Sequence, residues 1–281
     1  MALGGQGRFA AAATLLLDLL VDPGIPAGVA AHAAVTLAAH RRQRGGHALA
    51  RPLDARGLRL AATAPPAPPC PDGTDAGAAA VDALVGLAAD ALGLGDPVAG
   101  RLLDAAEARR HPSWRTAVRI GWVRAEAALY AGRAADGEEP ARRALELARE
   151  AGSVRHVVKS RLVLAVVRAV AHPNGAVFTE LDAVAETADR AGLLPLSGPA
   201  RGAWLDLSRD DLSPSVIKSS PIANDGAVDR SHEAANGQPS GPARRRHAVA
   251  RTASVLYQLS DPVGRGLTGE PVRGAARTSV M

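Results

Sequence analysis

Apolar positions in residues 113 to 151 recur every three or four residues, in two runs separated by a glycine turn. In the first run, Trp114, Val118, Trp122, Ala125 and Leu129 make one stripe behind Ser113, whose hydroxyl suits an N-cap. Ala131-Gly132 stops it, because glycine tolerates the left-handed residue a helix C-terminus needs. In the second run, Ala144, Leu147, Ala148 and Ala151 follow Pro140, which fits a first helical position, with Gly137 just outside. The pattern predicts two antiparallel helices. Neither buries its stripe alone, so each pair needs neighbours of the same kind.

Laying the chain against itself supplies those neighbours. A shift of 40 residues puts Ser113 on Ser153, Trp114 on Val154, Val118 on Val158, Trp122 on Leu162 and Ala125 on Ala165. A further shift of 42 carries Leu162 onto Trp204 and Ala165 onto Leu207. The turn glycines Gly7, Gly46, Gly95, Gly132 and Gly175 are 39, 49, 37 and 43 residues apart. Periods near 40 predict an all-α fold, an α-solenoid of stacked antiparallel helix pairs over residues 1–208.

In chain order, residues 8–22 read as a second-type helix with no first-type partner ahead, so the array begins half-way through a unit. Residues 26–44 and 48–60 form the next pair, with Pro52 in the first turn or at a kink. Asp75 caps 76–92, and Asp96-Pro97 opens 98–109. Residues 154–170 are the most continuously apolar helix and should be buried between neighbours. The turn His172-Pro173-Asn174-Gly175 precedes 176–191, and a last helix opens near Pro195 or Ser197 and runs to 207. The insertion TAPPAPPCPDG, within a loop at 63–75, lengthens one glycine interval and should be exposed and extended. Beyond Leu207 the periodicity stops. Residues 209–242 read as a disordered linker, 243–260 as a short basic amphipathic helix that either docks on the last repeat or stays free, and 261–281 as a disordered tail.

Composition agrees with close helix-on-helix packing. The chain is 47% hydrophobic but only 2% aromatic, so alanine carries much of the core, and no period-2 run predicts a strand. Of 33 basic residues only Lys159 and Lys218 are lysine; that bias fits a GC-rich, actinobacterial-type genome and is no nucleic-acid signature by itself. The formal charge of +5 resides in residues 243–281, where seven arginines face Asp261 and Glu270. Cys70, the only cysteine, excludes a disulfide framework within one chain. Asp18 interrupts the apolar run after Arg8, which favours a repeat helix over a signal peptide. No uncharged apolar run reaches the length of a membrane span, and the expected location is cytoplasmic.

The string Gly7-Arg8-Phe9, Ala12, Leu16, Leu19, Pro23 resembles the second half of a tetratricopeptide repeat. Its pattern has glycine before an aromatic, alanine five after the glycine, a bulky residue near nine and a closing proline. The 40-residue units are similar to the longer variant in bacterial regulators of the LuxR type, and the likeness covers residues 7 to 208. Gly95-Asp96-Pro97 and Gly132-Arg133-Ala134 keep the glycine without the aromatic. The resemblance implies a protein or peptide partner held in a superhelical groove, and no chemistry.

No catalytic, cofactor or metal motif stands out, and the expectation is a non-catalytic scaffold without cofactors. His32 and His40, eight apart on one helix, read as surface histidines rather than metal ligands. With the turn glycines matched, His32, Asp82, Arg119, Lys159 and Arg201 fall at equivalent places on successive first-type helices, with Arg115 and Arg155 one turn earlier. As the lining of a concave face they would form a mostly basic ladder suited to an acidic peptide or a C-terminal carboxylate, interrupted by Asp82. The competing reading is a solvated face that keeps an alanine-rich body soluble. Arg244, Arg245, Arg246 and Arg251 are a candidate basic contact for a second reading, a transcription-associated regulator touching nucleic acid, which the lack of aromatic interleaving disfavours. An enzyme assembled only by the fold is the third.

Overall fold

The computed structural model describes residues 2–208 together with Val249, Thr252, Val263 and Gly266. Among the described residues the structure is helical and holds no strand. In order the helices are α1 (Ala2–Gly5), α2 (Phe9–Val21), α3 (Ala27–Arg42), α4 (His47–Thr63), α5 (Ala76–Gly93) and α6 (Ala99–Ala108). They continue as α7 (Trp114–Tyr130), α8 (Glu138–Glu150), α9 (Val154–Ala171), α10 (Gly175–Arg190) and α11 (Leu194–Leu207), with a 3-10 turn at Ala134–Gly137.

Each helix read from the sequence up to residue 207 is present within a few residues, and α1 was not expected. Three local expectations are corrected. α8 starts before Pro140, because Gly137 tucks against α7, where a β-carbon would stand 3.1 Å from the Ala125 carbonyl oxygen. Pro52 lies in the second turn of α4, with Ala48 and Pro52 both exposed, so the hydrogen bond it cannot make opens toward water and the helix continues. Gly175 is the first residue of α10 rather than a left-handed turn residue, since the Asn174 side chain accepts from the amides of Ala176 and Val177.

Six of the helix ends share one closure. Gly7, Gly45, Gly95, Gly132, Gly152 and Gly192 have positive φ. In each case the following amide donates to a carbonyl five residues back: Arg8 to Leu3, Gly46 to Arg41, Asp96 to Ala91, Arg133 to Ala128, Ser153 to Ala148 and Leu193 to Ala188. This double-back satisfies carbonyls that the helix leaves free. Asp75 and Ser113 cap α5 and α7, accepting from the amides of Ala78 (3.0 Å) and Arg115 (3.2 Å).

Consecutive helices pack on one another, and α3, α5, α7, α9 and α11 also pack each on the next in a row. The core runs along the chain in blocks. Ala13, Leu20, Ala34 and Leu37 fill one; Val81, Val85, Ala88 and Leu103 the next. Val118, Trp122, Ala144 and Val167 follow, then Val158, Leu162, Leu181 and Val184. Alanine lets the axes come close, and Gly121 closer still: a β-carbon there would stand 2.7 Å from the Pro140 carbonyl oxygen of α8. α5 is the one described helix long and apolar enough to cross a membrane, but two thirds of it is buried by its neighbours and it carries Asp82 and Asp90.

The insertion is exposed along most of its length and turns inward at Gly73. The linker expected at 209–242, Arg244, Arg245, Arg246 and Arg251 of the expected helix, and most of 261–281 lie outside the described residues. Val249 and Thr252 are helical and half-buried, and a β-carbon on Gly198 of α11 would stand 3.5 Å from Cγ2 of Thr252.

Candidate functional site

The row of helices α3, α5, α7 and α9 carries two charged clusters. In the first, Arg42 ends α3, where a cation suits the helix C-terminus. Its Nη1 donates to Oδ2 of Asp54 on α4 (2.5 Å), to Oδ1 of Asp90 on α5 (2.9 Å) and to the Gly86 carbonyl (3.3 Å). Both carboxylates are 0% exposed. Asp54 fits only because residue 86 is glycine, since a β-carbon there would stand 2.3 Å from Oδ2 of Asp54. Nδ1 of His47 lies 3.3 Å from Oδ1 of Asp90. Two carboxylates therefore share one guanidinium, and Oδ1 of Asp54 and Oδ2 of Asp90 have no hydrogen-bond partner. Burial pushes the Asp54 carboxyl up to about 7 against the pull of Arg42, and the charge of Asp90 adds to the rise.

The second cluster is richer in cations. Asp82, 1% exposed, lies 3.0 Å from Nη2 of Arg115 and 2.8 Å from Nη1 of Arg119. The pairing is charge to charge, because neither Asp82 oxygen meets a well-directed N–H. Arg115 also donates from Nη2 to the Gly73 carbonyl (2.5 Å), tying the end of the insertion to α7. Asp75 fixes that end again, accepting from the Cys70 amide (2.7 Å) and lying 3.0 Å from Nε2 of His111.

On α9, Arg155 and Lys159 stand one turn apart. Nζ of Lys159 is 3.8 Å from Oε1 of Glu126 and 4.8 Å from the centre of the Trp122 ring. The Trp122 indole donates to Oγ of Ser160 at 2.8 Å. His156 stacks on Trp122 with ring centres 5.5 Å apart and meets Trp114 edge-on at 4.9 Å. Burial, then the charges of Arg155, Arg119, Arg115 and Lys159, push the His156 imidazole down to about 3, so it packs there uncharged. Burial likewise lowers Arg119, Arg155 and Lys159. Yet 18% of the Arg119 side chain and 31% of Lys159 stay exposed. These side chains are therefore desolvated yet still reach water. Arg155 makes no hydrogen bond or ion pair among the described residues.

The expected ladder is thus partly assembled. Asp82, Arg115, Arg119, Arg155 and Lys159 act on one another's charges, and His32 joins them at one edge, its Nε2 2.9 Å from the Asp75 carbonyl. Arg201 stands apart, paired with Asp189 and Ser197 at the α10 and α11 end. The histidines expected at the surface are not there. His40 is buried against Phe9 and α1, and His32 is half-buried. Sequence reasoning missed Arg42, Asp54, Asp90 and His156. The available signal was Asp82 and Asp90 as lone acids in the most alanine-rich helix, since a charge on an apolar face needs a partner.

Elsewhere, a cavity of about 620 Å³ between α8, α9 and α10 is floored by Leu145, Leu164 and Val177 and bordered by the pairs Arg161 with Glu180 and Arg168 with Glu138. It contains none of the ladder. Among the described residues no group of three or more His, Cys, Asp or Glu is placed to hold a metal. No protein-family model, curated protein or solved structure matches the chain.

Proposed function

We propose that the chain is a non-catalytic helical-repeat scaffold, an α-solenoid of antiparallel helix pairs related to tetratricopeptide arrays, that binds an acidic segment of a protein or peptide along the inner row α5, α7, α9. The packing of α3, α5, α7, α9 and α11 in one row, with α4, α6, α8 and α10 outside it, supports the solenoid reading. The observation that carries the binding reading is the charge imbalance on that row: among the described residues Arg115, Arg119, Arg155 and Lys159 face Asp82 and Glu126, with Asp54 acting on Arg119 from the first cluster, and Arg155 has no counterion. A partner carboxylate supplies the missing charge, and a guanidinium receives it through two parallel N–H bonds.

Fluorescence anisotropy of a labelled hexaglutamate peptide tests this. Arg155→Met with Lys159→Met should weaken binding and flatten its salt dependence, while Arg142→Met with Arg143→Met on α8 should change neither. Equal losses from both pairs, or none from the first, overturn the assignment.

A further inference from the structure

The shortest helix lies against this same row. α1 precedes α2 and ends in its own glycine closure at Gly7, where the Arg8 amide donates to the Leu3 carbonyl. Gly4 and Gly5 are both buried. A β-carbon on Gly4 would stand 1.9 Å from Nε2, 2.6 Å from Cε1 and 2.8 Å from Cδ2 of His40. The Nε2 corner of the imidazole therefore abuts the bare backbone. His40 has little room to yield, being 6% exposed with its other side toward Phe9, ring centres 5.4 Å apart. Gly5 differs. A β-carbon there would meet Cδ and Nε of Arg155 at 3.6 and 3.7 Å and Cδ2 of Leu193 at 3.8 Å, ordinary contact distances. Two residues of α1 thus bridge the end of α3 to the start of α9, beside the Arg155 side chain, which has no counterion among the described residues.

We propose that the notch between His40 and Arg155 is a recognition site for a side-chain-free backbone, that α1 is its resident occupant, and that an acidic partner must displace α1 to reach Arg155. The last clause rests on the binding reading above; the first two do not. The notch reads one position strictly, because His40 excludes any side chain at residue 4, and the next position loosely. What it offers an incoming chain is an imidazole corner against the backbone and a cation one residue further on.

Phenylglyoxal modification of Arg155, followed by mass spectrometry on the full chain, reads occupancy without any ligand. Deleting residues 2–6 should speed Arg155 modification several-fold, Gly4→Ala should approach that rate, and Gly5→Ala should stay at the parent rate. His40→Ala makes room for the new methyl, so Gly4→Ala combined with His40→Ala should recover protection. Unchanged reactivity on deletion, or equal effects of the two glycine substitutions, overturns the proposal. With the hexaglutamate probe, the deletion should also tighten binding. If the probe binds neither form while Arg155 protection still tracks Gly4, the acidic-partner reading fails and the notch stands.

Discussion

Two clusters on one row of helices solve the problem of buried charge in opposite ways. Around Arg42, itself 11% exposed, two carboxylates with no exposure compete for one guanidinium. Around Asp82 the cations outnumber the acids and keep some contact with water. A closed cluster resolves its imbalance by taking up a proton, which is what the raised Asp54 carboxyl does. An open cluster can leave its imbalance standing, as a potential that an outside charge completes. The difference lies in access rather than in residue type.

The largest test of that contrast is Arg42→Met. It strands two buried carboxylates, and should cost about 3–5 kcal/mol in urea unfolding. A cost below about 1 kcal/mol would mean that Asp54 and Asp90 reach water.

The pH dependence separates the clusters by sign. Asp54 holds its proton to about 7 in the folded chain but to the ordinary carboxylate range when unfolded. Its contribution is complete below about pH 4 and is lost as pH rises toward 7. His156 is pushed down to about 3 from an ordinary 6.5. Its contribution is complete above about pH 6.5 and is lost as pH falls toward 3. Each is worth a few kcal/mol at its limit. Chemical unfolding from pH 4 to 7.5 should therefore become steeper toward acid in Asp54→Asn, where only the histidine slope remains, and should lose that slope in His156→Gln. Parallel curves for the two variants would break the comparison.

Trp122→Phe should cost about 1–2 kcal/mol, because the buried Ser160 hydroxyl loses its indole donor and the ring leaves space behind. Smallest of all, Arg155→Met should move stability by no more than about 0.5 kcal/mol, since the side chain has no partner among the described residues to lose. A large loss there would show that Arg155 holds the fold together rather than waiting for a ligand.

The helices were legible because a stripe of period 3.6 and its caps are local. Ser113, Asp75 and Trp122 needed only their near neighbours to be read. The clusters were not, because their partners meet across the row: Arg42 joins a residue 12 positions on and another 48 on, and Arg115 reaches back 42 to Gly73. Matching turn glycines put Arg201 in the same ladder as Arg119. The alignment gave the position on the helix but not the neighbour, and Asp189 on α10 takes Arg201 for itself. Arg155 and Lys159 were found because α9 packs on α7 and brings both within reach of the Arg119 charge.

The glycine closures have a consequence for how such a chain can change over generations. At each of those six ends the hydrogen bonds are completed within a few residues of the joint, with nothing borrowed from a distant segment. A duplication or deletion that begins and ends at such joints carries its own terminations with it, so helices can be gained or lost there while the remaining end bonds stay intact. The charged clusters have no such freedom. Removing α5 and α6 would take Asp82 and Asp90 together, leaving Arg115 and Arg119 without their acid and Arg42 with one of its two, so descent with altered length is closed at these two helices.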